Sequence, residues 1–212
     1  GAVPVFLPTA RNAFGMIGPV DWEAWDEAHL REQIRQNPRI EDKSRADSPR
    51  PFRLACIQLC TYDGTVCNVR KVLERIGHLC DYVLWDEAWI GYNAFHPLFH
   101  DHSPMRLQEL PPEMAGLFST QSVHKQGAGF SQASQIHKRD EHVRGQKRFV
   151  DHQRFNESYL QHASTSPFYP LFASLDVNAK IHDGKGGEML WDRCIELGIE
   201  TRKKLRQFVR HY

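Results

Sequence analysis

Two regimes of hydrophobic patterning alternate along the chain, short apolar runs and longer stretches of near-helical period. Residues 3–7 read as a strand. Trp22, Trp25, Leu30 and Ile34 then recur at close to helical spacing, with Asp21 placed to cap a helix over 22–35. Residues 36–52 are polar, charged and proline-bearing, which predicts a mobile loop. Residues 53–60 (RLACIQLC) read as a buried strand, and Thr61-Tyr62-Asp63-Gly64 as a turn with glycine where positive φ is needed. A helix over 66–79 leads into a strand over 81–85 that ends at Asp86. Further strands are predicted at 118–124 and 129–137, and helices at 153–161 and 168–177. A last helix starts near Glu188 and carries Leu190, Cys194, Leu197, Leu205 and Phe208 on one stripe. Strands alternating with helices predict an α/β fold, a mostly parallel sheet flanked by helices, with no second complete domain.

Composition narrows the function classes. Apolar residues at 41% and charged residues at 25% are ordinary for a globular protein. A net charge of +1 argues against nucleic-acid binding, which needs a clear cationic excess. The basic stretch His137–Arg148 is offset by Asp140 and Glu141 and reads as a solvated or inter-subunit face. No apolar run is long enough to span a membrane, and no signal-peptide pattern is present. Five cysteines form no disulfide framework, and Cys56 and Cys194 sit in apolar segments as buried free thiols do. A reducing, cytoplasmic setting fits that usage. The chain opens on Gly1 inside a strand-like run and closes at Tyr212 inside a helical pattern, which reads as a piece of a longer protein.

Candidate chemistry centres on Thr120–Asp140 (TQSVHKQGAGFSQASQIHKRD). Lys125 follows an apolar strand, with Ser122 and His124 before it and Gly127 and Gly129 after it. Small residues admit a flat ligand, hydroxyl and imidazole groups can donate to a phosphate, and a lysine so held can attack an aldehyde. Most lysines are solvated surface charges, and the residues alone leave that reading open. Asp86, in Asp86-Glu87-Ala88-Trp89, would stand outside the carboxyl end of a strand, where open α/β sheets bind ligands; a loop or capping aspartate is the plain alternative. Ser164-Thr165-Ser166-Pro167 suits a helix N-terminus, as a cap or as a phosphate contact. His96, His100 and His102 have metal-like spacing, but loop histidines are the default and no metal is expected.

The spacing Thr120-x-Ser122-x-His124-Lys125, followed by Ala128-Gly129 and Ser131-Gln132-Ala133-Ser134, resembles the cofactor-attachment signature of the bacterial-type ornithine/lysine/arginine decarboxylases. Asp86-Glu87-Ala88-Trp89 resembles their DxAW pattern, and Ala10–Gly15, Thr61–Thr65, Ile76–Tyr82 and His162–Pro170 are also similar to family segments. Thr120–Gln126 and Ser134–Asp140 look like the ornithine branch. The resemblance implies that 1–212 is part of the large, cofactor-binding domain of a fold-type-I pyridoxal-phosphate enzyme. It implies pyridoxal 5'-phosphate on Lys125, Asp86 at the ring nitrogen, and Ala88 and Trp89 beside the ring. Ser122 and His124 would serve the cofactor, with His124 or Lys125 returning a proton, and Ser164 and Thr165 would reach a neighbouring copy's site. A small basic amino acid as substrate and a homodimer or higher homo-oligomer are expected. The competing expectation is a catalytically silent fragment or a regulatory module with a decarboxylase-like body. In either case the chain alone is expected to bind cofactor weakly and turn over little.

Overall fold

The computed structural model describes residues 2–209. Its first regular element is a two-stranded antiparallel ribbon, β1 (Thr9–Arg11) with β2 (Ile17–Val20). A 3-10 turn at Trp22–Trp25 and helix α1 (Glu27–Gln36) follow, then β3 (Phe52–Gln58), α2 (Val69–Ile76) and β4 (Cys80–Asp86). After two further 3-10 turns come β5 (Gly116–Gln121), the one-turn helix α3 (Val123–Gln126) and β6 (Gln135–Arg139). Helices α4 (His152–Leu160), α5 (Tyr169–Ile181) and α6 (Gly184–Val209) complete the described chain. Strands β3, β4, β5 and β6 lie side by side in that order; β3 and β5 run parallel to β4, while β6 is antiparallel to β5. The expected mostly parallel sheet flanked by helices is therefore present.

Alternation along the strands explains the core. Ile57, Val83, Trp85 and Leu117 point to the face covered by α2, which buries Val69, Val72, Leu73 and Ile76. Each such side chain contributes roughly 1.5–3 kcal/mol by leaving water. The opposite face is only partly covered. Tyr82 stacks on Phe118 at 5.0 Å and Phe118 on Phe155 of α4 at 5.7 Å, whereas Leu54 and Cys56 stay exposed.

Several expectations shift. Residues 3–7 form no strand: Pro4 and Pro8 supply no amide donor, and Phe6 is exposed. The helix expected from Asp21 is broken at Asp26, whose extended backbone ends the 3-10 turn and whose carboxylate accepts from His29 N to cap α1. Asp21 makes no side-chain cap. Segment 36–52 folds into a 3-10 turn at Lys43–Asp47, with Ala46 buried and Arg31 donating to the Ala46 and Ser48 carbonyls. Gly64 has φ +84°, as its turn requires. The basic stretch is in good part internal bracing rather than a solvated face: Arg139 donates to Pro104 O and Met105 O, and Arg148 to Asp81 O and Met114 O. Cys56 and Cys194 are exposed, and the buried thiols are Cys60 and Cys80, the latter pushed up to about 12 by burial.

Candidate active site

The parallel pairing of β4 with β5 brings two chemically different strand ends together. Asp86, the last residue of β4, lies in register with Thr120, two residues before Ser122. The exposed Asp86 carboxylate accepts from Ala88 N at 2.9 Å, a turn that holds it at the strand mouth. Trp89, three residues on, is half-buried and packs against Tyr62, with ring centroids 5.1 Å apart. Lys125 arrives from the next strand, and its Nζ sits 4.5 Å above the Trp89 ring. The ring face attracts a cationic or polarised amine and restricts an otherwise flexible side chain.

Lys125 is carried on α3, whose single turn is closed by Lys125 N donating to Ser122 O at 3.0 Å. The Ser122 hydroxyl makes no capping bond to this helix, which leaves it available to a ligand. His124 Nδ1 lies 2.8 Å from Ala133 O; a proton on Nδ1 satisfies that carbonyl and leaves Nε2 as the ring nitrogen open to a ligand. The stretch after Lys125 is braced from α5: Asn178 Oδ1 accepts from Ala128 N at 2.8 Å, and Ser174 Oγ from Phe130 N at 3.0 Å. A Cβ on Gly127 would stand 2.6 Å from Asn178 Oδ1, so glycine is needed for this approach. His182 Nδ1 in turn meets Asn178 O at 2.8 Å. Ser122, Gln126, Asn178, His182 and Trp191 line a small, partly open cavity whose lining includes neither Lys125 nor Asp86.

Beneath the strand mouth lies a buried polar network. Glu87 is wholly buried and accepts from Gln121 Nε2 at 2.5 Å and from Asn93 Nδ2 at 3.4 Å. Gln121 Oε1 accepts from Gln135 Nε2 at 2.7 Å and lies 3.1 Å from His137 Nε2. Burial pushes the Glu87 carboxyl up and the His137 imidazole down, so both favour their neutral forms.

Six of the residues singled out from sequence thus gather at the carboxyl ends of β4 and β5: Asp86, Ala88, Trp89, Ser122, His124 and Lys125. Ser164 and Thr165 do not join them. They are exposed between α4 and α5, and Ser164 Oγ accepts from Ser166 N at 3.1 Å. They do not cap α5 either, whose N-cap position is Phe168. The three spaced histidines do not converge: His96 pairs with Asp192 at 2.8 Å and His102 with Cys67 O at 3.0 Å. Among the described residues no group of three or more potential metal ligands is present. Sequence reasoning missed Glu87, Tyr62 and the α5 brace. Ser174, Asn178 and His182 recur every four residues along α5 and its C-cap, a readable polar stripe.

The residues at the strand mouth suit pyridoxal phosphate: an exposed carboxylate for a pyridine nitrogen, an indole beside a lysine amine, and a Ser122 hydroxyl not used as a helix cap. A constitutive ornithine decarboxylase of Escherichia coli is 58% identical over 205 residues, which is 97% of this chain and 28% of that protein. An ornithine decarboxylase of Haemophilus influenzae is 54% identical, over 96% of this chain and 28% of that protein. The chain therefore spans little more than a quarter of the length of these relatives. In solved structures it is similar to a lysine decarboxylase from Pseudomonas aeruginosa, with TM-score 0.84 and 32% identity over 96% of this chain and 26% of that one. The family described as Orn/Lys/Arg decarboxylase, major domain, matches residues 1–211, and the chain belongs to that family.

Proposed function

We propose that the protein carrying this chain removes the α-carboxyl group of a basic amino acid, L-ornithine foremost, to give putrescine and carbon dioxide. The observation that carries the reading is the meeting of Lys125, Trp89 and Asp86 at the carboxyl ends of two adjacent parallel strands. The substrate choice is supported by relatives named ornithine decarboxylases at 50–58% identity, against 32–34% for those named for arginine or lysine.

Bound pyridoxal 5'-phosphate supplies the electron sink for the pair left behind when carbon dioxide departs. The residues of this chain supply position and charge. Lys125 Nζ would hold the cofactor through its aldehyde carbon, and Lys125 or His124 would return a proton at the substrate's Cα. Asp86 would keep the pyridine nitrogen protonated, an electrostatic contribution from a preset carboxylate. Ala88 and Trp89 would pack beside the ring and exclude water, the Ser122 hydroxyl would donate to the cofactor, and His124 would contact it through Nε2. The exposed Ser164 and Thr165 would serve the site of a neighbouring copy in a homodimer or larger homo-oligomer. Soluble, cytoplasmic operation belongs to the same proposal; no helix among the described residues is long and apolar enough to cross a membrane.

The test is carbon dioxide release by the full-length protein with ornithine, lysine and arginine in parallel. Ornithine is expected to be the best substrate, and Lys125→Ala to lower turnover by about 10³-fold or more. Equal use of all three substrates would remove the ornithine assignment. An inactive full-length protein would favour the regulatory-module reading.

A further inference from the structure

We propose that Glu87 is a neutral, proton-bearing positioning residue that ties the ends of β4 and β5 together and so sets Asp86 against Lys125. The part concerning Asp86 and Lys125 rests on the decarboxylase reading; the protonation of Glu87 does not.

Glu87 directly follows Asp86 yet has the opposite environment. Asp86 is exposed, whereas Glu87 has no accessible surface. Its backbone is fixed to the lysine-bearing strand by Glu87 N donating to Thr120 O at 2.9 Å. Its side chain reaches the same strand again through Gln121, the residue before Ser122. Every side chain holding it is neutral. Gln121 and Ser119 face it from β5, Asn93 from the 3-10 turn after β4, and His137 of β6 stands one link away through Gln121. The one charge next to it is Asp86, which repels a second carboxylate. Among the described residues no lysine or arginine is paired with Glu87.

An unpaired ionised carboxylate buried in this way is strongly disfavoured, and such a group takes up a proton instead. Ser119 Oγ, which faces Glu87, is buried without another partner and can receive that proton's hydrogen bond. A neutral acid keeps the Gln121 bond at its carbonyl oxygen and can donate through its hydroxyl, without placing an unpaired charge in the core. It also leaves Asp86 as the single negative charge at the mouth, where one counter-charge for a ring nitrogen is wanted.

The test uses the full-length protein, with and without pyridoxal phosphate, as wild type, Glu87→Gln and Glu87→Ala. The cofactor-free wild type is expected to show a protonated-carboxyl infrared band at neutral pH that both variants lose. Glutamine reproduces the neutral acid's donor and acceptor, so Glu87→Gln should bind pyridoxal phosphate within about twofold of wild type and leave its absorbance–pH curve in place. Glu87→Ala leaves Gln121 without its partner and should weaken binding about tenfold. Absence of the band in wild type, or a Glu87→Gln curve displaced to lower pH as loss of a negative charge would displace it, overturns the neutral state. Wild-type affinity in Glu87→Ala overturns the positioning role. If Glu87→Ala does not fold, the infrared and Glu87→Gln results decide. A wild type that binds no cofactor sinks the decarboxylase reading while the infrared comparison still scores Glu87.

Discussion

The sheet and the C-terminal helices are built on opposite plans. Between Trp25 and Leu117 the buried side chains are overwhelmingly aliphatic or aromatic, closing around Trp85, Val83 and Leu117 with α2 laid across them. From α5 onward the buried side chains are Ser174, Asn178, His182 and Trp191, while Phe172, Val177, Leu190, Leu197, Leu205 and Phe208 face solvent. The first region holds itself together by removing apolar surface from water. The second attaches through directional hydrogen bonds that Ser174 and Asn178 accept from the lysine loop and through Trp191 stacked on Tyr92, and leaves Leu190, Leu197 and Leu205 exposed. A chain spanning 28% of its relatives' length can be self-sufficient in one region and dependent in the other.

Mutations can break or sharpen that contrast. Trp85→Ala removes the largest wholly buried side chain of the sheet and is expected to cost about 3–5 kcal/mol, read as a lowered urea midpoint. Asn178→Ala strips the brace from Ala128 N and should cost about 1–3 kcal/mol. That loss should also weaken pyridoxal-phosphate binding to the full-length protein, which a defect confined to α5 would not do. The pH dependence belongs to the sheet region. Burial depresses His137 and His142, so the unfolded chain takes up protons first as pH falls below the ordinary histidine value of 6.5. Their contribution is fully present above 6.5 and lost as pH falls through the depressed folded values. His137→Gln is expected to flatten that slope in a urea-midpoint series across pH. Leu197→Ser with Leu205→Ser should change stability by less than about 0.5 kcal/mol and reduce self-association, measured by sedimentation. A large stability loss in this last pair would show that α6 is packed, and the contrast would fail.

Much of the sheet was legible because strand and helix periods differ: β3, β4, α2, α4 and α5 lie within a few residues of where the apolar pattern puts them. The misplacements have local causes. Proline denies residues 3–7 a ladder, and Asp26 rather than Asp21 carries the cap. The stripe on α6 is real as a pattern, but amphipathicity does not say whether the partner lies in the same chain. At the site, Asp86, Trp89 and Lys125 were readable because their residue types and spacing match a known signature. Glu87 was not, because sequence does not distinguish an exposed acid from its buried neighbour. Only the strand pleat turns one carboxylate outward and the next into the core.

The central claim is that Lys125 is the amine that holds the cofactor. Full-length protein incubated with pyridoxal phosphate, reduced with borohydride and digested should give a single modified peptide, with the pyridoxyl mass on Lys125 and its yellow absorbance lost on reduction. Modification of other lysines with Lys125 untouched, or no stoichiometric modification at all, would contradict the account.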